Sequence, residues 1–487
     1  MINIQAKIHD RFSVEFKVGF NTIKGHVINK FMMNTWIFVP YSLDINAATY
    51  SKEMFYRDLR SNTRLITPVY LLKDIVKGKA EPFNLLKKSF EKLAENPGKI
   101  TLGDYEYNIK MFAAIFKSSL RNQIFFIMSP PIRTNRTELC EELISDIEDI
   151  LRKYRDLHKI ITIPTLSGEC FDYYLFGDEF MSNIVHKQLF RVINFLKKED
   201  KQVFESVKEK ILNLITKEIA HRKSRGYPVI EKESKNQNRD LVYRSGALKK
   251  YVESELFLNT NKKRDAVVVE QVYYSVAAGI SMIFATAVAF SFQLRFGNFT
   301  IPFFVALVVS YMLKDRIKEL ARYYFAHKLK EKYFDNKTTI TLNDHTIGWS
   351  REGFDFIKES VVPSNILRIR DRTPLLEAQN RYSGEKIILF RKLIELNREE
   401  LEKNSEYPIT GVNEIMRFNL SSYMQKMDDP DVPLYVIEKD GTYREVTGDK
   451  VYFLNFVIQF KFEEHESYKR YRIVFNRNGI EEIEELL

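Results

Sequence analysis

The chain has 487 residues, with 75 Lys and Arg against 65 Asp and Glu for a net charge of +10. That length calls for two or three folded units, and 45% hydrophobic with 29% charged residues excludes a disordered chain, a collagen-like fibre and a multi-span transporter. Two cysteines, Cys140 and Cys170, exclude a disulfide scaffold and a four-thiolate zinc site, and fit a reducing compartment.

Residues 1–133 read as a mixed α+β region. Residues 12–20 alternate apolar and polar positions, the period of a half-buried strand, and residues 36–41 form a second, apolar strand. Residues 49–64 have a helical pattern whose basic side chains Lys52, Arg57, Arg60 and Arg64 lie on a solvated face. A further helix covers 83–95 and stops at Asn96, Pro97 and Gly98.

Residues 134–264 read as helical. Leu139, Leu143, Ile147, Ile150, Tyr154 and Leu157 make one apolar seam; Val203, Val207, Ile211, Leu214, Ile215 and Ile219 make another. The second seam belongs to a helical stretch over 180–222 that ends at Gly226. Residues 231–240 are polar and read as a surface loop.

The most specific signal is a predicted two-span transmembrane hairpin over 268–313. Residues 271–294 carry no charge for roughly 24 positions, enough at ~1.5 Å per residue to cross a hydrocarbon core of about 30 Å. A second uncharged run covers 296–313, with Pro302 suited to its first turn and Gly297-Asn298 to the link. Soluble helices of this length carry a polar stripe, and neither run has one. Ala277, Ser281, Ala285 and Ala289 repeat at four-residue spacing, a stripe that admits a closely packed helix from the same hairpin or from a second copy. Tyr273, Tyr274, Phe296, Phe299 and Tyr311 sit near the ends, as interfacial anchors do. Neither run holds an ionisable residue, which argues against an ion pathway and makes an oligomeric pore the weakest reading.

Basic residues crowd both flanks: Lys262, Lys263 and Arg264 before, Lys314, Arg316, Lys318 and Arg322 after, with Arg295 alone in the turn. The bias predicts both termini in the cytoplasm of an inner or plasma membrane, and MINIQAKIHDR lacks the apolar stretch of a signal peptide. The same basic side chains suit anionic lipid headgroups, at ~1 kcal/mol each near the surface. Residues 314–335 continue the second run as a cytoplasmic exit helix. Residues 338–487 read as a β-rich domain, with strands at 338–342, 387–396, 451–462 and 468–475, a hairpin turning at Asp440-Gly441, and an acidic helical tail after Asn478-Gly479.

Chemical motifs are scarce. No phosphate-binding glycine loop, zinc-protease helix, nucleophile elbow or Cys pair at metal spacing occurs, and no cofactor or metal is expected. Two Arg/His pairs, Arg322 with His327 and Arg152 with His158, can stabilise phosphate charge and move a proton. Their spacing resembles the Arg-x4-6-His motif of HEPN-type ribonucleases, although the polar residue usual beside the Arg is missing. Lys469, Arg470 and Arg472, interleaved with Tyr468 and Tyr471, are the best local phosphate-binding surface. Charges of both signs are otherwise interspersed, which argues against a nucleic-acid partner. The sequence therefore predicts an α+β multidomain integral membrane protein that binds, scaffolds or relays a signal to an unspecified protein partner or a second copy. A membrane-tethered nuclease or hydrolase is the alternative.

Overall fold

A computed structural model describes residues 2–77, 81–129, 135–162, 164, 168–265, 267–297, 300–332 and 334–487, with 76, 268, 269 and 325–332 described by backbone alone. The chain mixes helix and sheet and divides into two compact units, both discontinuous in sequence. The first comprises Met1–Thr63, Asn259–Asn404 and Gly411–Leu487; the second comprises Arg64–Leu258 and Ser405–Thr410.

The first unit opens with β1 (Ile2–Asp10), β2 (Ser13–Asn21) and β3 (Ile28–Val39), and β4 (Leu59–Leu65) runs across its boundary. β5 (Asn259–Arg264) and β6 (Asn336–Leu342) flank a helical hairpin. β7 (His345–Ile357), β8 (Lys386–Asn397) and β9 (Gly411–Asn419) follow. A ribbon of β10 (Asp431–Ile437) and β11 (Tyr443–Asp449) precedes β12 (Tyr452–Phe462), β13 (His465–Asn476) and β14 (Gly479–Glu485).

Eight strands form one sheet in the order β14-β13-β12-β3-β8-β7-β6-β5, and four form another in the order β1-β2-β9-β4. β3 therefore lies between β8 and β12, with Trp36 opposite Leu389 on one side and Val457 on the other. Aromatic side chains join the two sheets: Phe16 on β2 packs on Phe456 on β12 with centroids 5.2 Å apart, and Phe55 packs on Phe354 at 4.4 Å. On the large sheet Trp36, Phe38, Ile387 and Val457 build a core with Val362 and Ile366. Such burial is worth about 1.5–3 kcal/mol for each large apolar side chain.

These pairings correct the expected division of the chain. Residues 1–133 and 338–487 do not form separate domains, because strands from both contribute to the same two sheets. Residues 134–264 are likewise not a unit by themselves. Local corrections follow the same physics. Residues 49–64 are a short helix, Lys52–Asp58, followed at once by β4, since Ser61, Asn62 and Thr63 favour strand and turn over helix. The acidic tail is a strand rather than a helix: β14 pairs with β13, and its Glu485 takes the Lys469 ammonium at 2.6 Å.

The second unit is a helical bundle built on Glu81–Glu95, Lys99–Met128, Arg136–Asp156, Gly168–Glu199, Lys201–Ser224 and Lys235–Glu253. The two predicted seams close inside it: Leu143, Ile147, Tyr154, Val207, Ile211 and Leu214 are all buried. The stretch over 180–222 is two helices, broken at Asp200, whose carboxylate caps the second by accepting from the Val203 amide at 3.2 Å. Residues 235–240 are not loop but the first turns of a helix capped by Ser234. Tyr154 and Tyr174 stack at 5.2 Å, and a side chain at Gly177 would collide with the Tyr154 hydroxyl and Ile109.

Candidate functional site

The hairpin stands out because its surface contradicts its surroundings. Helix Val267–Phe296 is 30 residues, and Ile301–Lys332 follows after the turn. Gly297 ends the first helix in the left-handed region at φ +75°, with its amide donating to the Gln293 carbonyl at 2.9 Å. Asn298 and Phe299 lie outside the described residues.

Small side chains hold the two helices together. Ala277 and Ser281 are buried on the first, Ala306 and Ser310 on the second, and Ala285 and Ala289 are half-buried on the same stripe. The Ser310 hydroxyl donates to the Ala285 carbonyl at 3.1 Å, which requires the close backbone approach that small residues permit. Arg322 lies over the Tyr274 ring, 5.5 Å from its centroid. These two contacts make the helices antiparallel and bring Lys314 level with Ser281 to within a turn.

Away from this seam the first helix and residues 301–313 of the second are largely apolar and exposed. Ile283 is 71% exposed and Leu294 89%, and Phe304, Val305 and Met312 are exposed on the second helix. Among the described residues, Glu270–Phe296 is the one helix long and apolar enough to cross a bilayer, and 11% of its apolar window is buried. The second helix has about 13 uncharged residues from Ile301 to Leu313, a rise of ~20 Å against a hydrocarbon core of about 30 Å. The run expected over 296–313 is therefore shorter as helix than as sequence.

The hairpin grows from paired strands. Residues 259–264 of β5 and 336–342 of β6 lie side by side, with Arg264 opposite Asn336. The Asp265 amide donates to the Asp335 carbonyl at 2.9 Å and the Asp335 amide to the Glu352 carbonyl at 2.7 Å. The Asp335 carboxylate accepts from the Tyr56 hydroxyl at 2.9 Å, from the Phe354 amide at 2.8 Å and from Lys52.

Beneath this clamp lies a closed cluster of charge. Lys392, with 2% of its side chain exposed, binds Glu352 at 2.7 Å and also Glu414; Lys262 reaches Glu352 at 2.8 Å, and Ser61 donates to Glu414. Burial pushes the Glu352 carboxyl up, but Lys392 and Lys262 outweigh it and hold the group at about 2. Burial works against the Lys392 charge too, and the two carboxylates overcome it, raising its ammonium above the usual lysine value. Every charge here is partnered, and Lys392, Glu352 and Glu414 are screened from solvent while Lys262 closes the cluster from the surface, so it fixes strands rather than performing chemistry.

Of the predicted catalytic pairs, Arg152 and His158 make separate contacts. Arg152 points to solvent and pairs with Asp149, while His158 packs edge-on to Phe171 and beside Tyr174. Arg322 is engaged with Tyr274, and the His327 side chain lies outside the described residues. On the same helix Lys314 lies over the Tyr311 ring at 4.1 Å, Arg316 pairs with Glu319 at 3.1 Å, and Lys318 is half-buried. The expected phosphate surface on β13 is spent internally: Lys469 and Arg472 pair with Glu485 and Glu484 of β14, and Arg470 lies 3.6 Å from Asp371.

Sequence reasoning missed a polar centre in the helical unit. Asp178, 1% exposed, accepts from Arg155 at 2.9 Å and Tyr227 at 3.2 Å, and bonds His221 at 2.7 Å. Burial opposes its charge, but His221 and Arg155 win and lower its carboxyl below the ordinary value. Arg155 also forks onto Glu218 at 2.8 and 2.9 Å. An Asp–His pair suggests a proton relay, but here the aspartate is saturated by three donors and serves packing. Among the described residues no group of three or more His, Cys, Asp and Glu could hold a metal ion. No family model, curated protein or solved structure matches the chain.

Proposed function

We propose that the chain is a membrane-anchored protein whose helical hairpin inserts into a bilayer and holds both folded units on one side, where they bind or scaffold a protein partner. The observation that carries this reading is the run of large apolar side chains left exposed along the first helix and along 301–313 of the second, a contiguous patch of the kind that marks a membrane or protein contact. The basic flanks support cytoplasmic roots and contact with anionic headgroups, and the paired β5 and β6 give the two helices a common base.

The short apolar part of the second helix favours a second reading of depth alone. With Lys314 level with Ser281, the jointly apolar part of the hairpin is about 20 Å long by helical rise, so its turn lies inside the bilayer unless lysines snorkel and the membrane thins. Two measurements test both. Alkaline carbonate leaves an inserted hairpin in the membrane fraction, and release of the protein refutes insertion. A cysteine in place of Arg295, against the buried Cys140 and Cys170, is labelled by an impermeant maleimide from outside intact spheroplasts if the hairpin spans. Labelling that requires detergent assigns the shallower depth.

A further inference from the structure

The helical unit contains a cavity of about 220 Å³ between helices Gly168–Glu199, Lys201–Ser224 and Lys235–Glu253. Its polar lining is Asn183, His186, Lys187, Arg222, Ser245 and Lys249, and no Asp or Glu lines it. Phe180, Ile184, Leu241 and Leu248 supply an apolar wall.

Arg222 is the unusual member. It is 3% exposed, yet among the described residues no carboxylate comes within ion-pair distance; its guanidinium donates to the Asn183 side-chain oxygen at 3.0 Å and, at 3.5 Å, to the Glu218 carbonyl. The carboxylates nearest to it are already committed. Glu179 is held by Arg244 at 2.6 to 3.0 Å, and Glu218 by Arg155. Glu218 and Glu179 still attract Arg222 from a distance, but a buried cation with no direct ion pair is costly, and a fold retains one where an anion arrives to meet it. Lys187 and Lys249 stand exposed at the cavity with no ion pair of their own among the described residues. Burial, with the Arg222 charge beside it, pushes the His186 imidazole down to about 4, so at neutral pH it adds hydrogen-bonding capacity and no charge.

We infer that this cavity binds a phosphate monoester, with its dianion between Arg222, Lys187 and Lys249 and a small organic group on the Phe180, Ile184 and Leu248 wall. Three cations, an amide and a hydroxyl match a doubly charged tetrahedral group better than a single carboxylate, and a guanidinium can hold two of its oxygens at once. The cavity is too small for a nucleic acid strand.

The test is calorimetric titration of the full-length protein in mild detergent with inorganic phosphate, phenyl phosphate and dihexanoyl phosphatidic acid. Phenyl phosphate is expected to bind one to one and more tightly than inorganic phosphate. Arg222→Gln should weaken it about 10- to 100-fold, the range for hydrogen bonds to charged groups. Because Arg222 is buried and its loss can disturb folding, Lys249→Gln and Lys187→Gln at the exposed mouth provide a second arm, each expected to weaken binding several-fold. Tighter binding of the phosphatidic acid assigns the phosphate to a lipid, and tighter binding of phenyl phosphate assigns it to a soluble metabolite. The inference is overturned if none of the three probes binds at millimolar concentration. It is equally overturned if inorganic phosphate binds as well as phenyl phosphate, or if the lysine variants bind as the parent does.

Discussion

Replacing Lys392 by methionine removes the ammonium from between Glu352 and Glu414 while keeping most of its stem. Glu352 retains Lys262, but Glu414 is left with Ser61 in a region where Lys392 itself is 2% exposed. Removing one partner of a buried ion pair costs about 3–5 kcal/mol, because the charge left behind is neither solvated nor paired. The Glu352 carboxyl points the same way: Lys392 and Lys262 together hold it well below its ordinary value, so the pair contributes stability at neutral pH. A depressed carboxyl contributes stability above its unfolded value and loses it as the pH falls, so this share disappears between about 4.5 and 2. Lys392→Met should therefore be most destabilised near pH 7 and show a shallower acid limb. The assay is urea unfolding followed by tryptophan fluorescence, since both tryptophans, Trp36 on β3 and Trp349 on β7, report on the large sheet. Adding Glu352→Gln and Glu414→Gln should recover a substantial part of the loss. A loss below about 1 kcal/mol with an unchanged acid limb would refute the placement of these charges, since exposed pairs contribute no more than that.

Two further outcomes are expected. Asp178→Asn should destabilise the helical unit by about 3–5 kcal/mol, because Arg155 and His221 lose their shared carboxylate. Since the Asp178 carboxyl is depressed, the deficit shrinks as the pH falls below its ordinary value, and far-UV circular dichroism melts across pH check both parts. Ala277→Leu should force the hairpin helices apart at about 1–3 kcal/mol, since Ala277 has no exposed surface. A disulfide engineered between Ala285→Cys and Ser310→Cys should form readily in the parent and poorly beside Ala277→Leu; equal yields would contradict the packing.

The elements that could be read from the sequence are those whose signal is local. β2 follows from strict alternation, although it is buried on both faces rather than half-buried, the bundle seams follow from three-and-four spacing, and the hairpin from absent charge. Strand order could not be read, because nothing in residues 28–39 says that they lie between two strands from the far half of the chain. β14 is not legible in sequence because a run of acidic residues favours a solvated helix unless basic partners wait on a neighbouring strand. The buried cluster did leave a trace. Lys392 occupies the same alternation phase as Phe390 and Ile394, and Glu414 that of Val412 and Met416. A charge at the core phase of an apolar strand announces a buried counter-charge. The Arg222 cavity left none, since Asn183, Arg222 and Lys249 come from three separate helices.

The place of β3 also sets an order of assembly. Residues 28–39 leave the ribosome early, yet their two neighbours in the sheet, β8 and β12, are made hundreds of residues later. The helical unit needs little beyond residues 64–258, so it can close while synthesis continues. The hairpin emerges next, well before β12, β13 and β14 exist. For a long interval β3 waits as an apolar strand with both edges unpaired, the condition in which chains aggregate or recruit chaperones. The bundle and the hairpin are thus both made after the early sheet strands and before the partners those strands need. Completion of the large sheet waits for β12 to β14, and truncation within those strands should leave the bundle folded and β3 exposed.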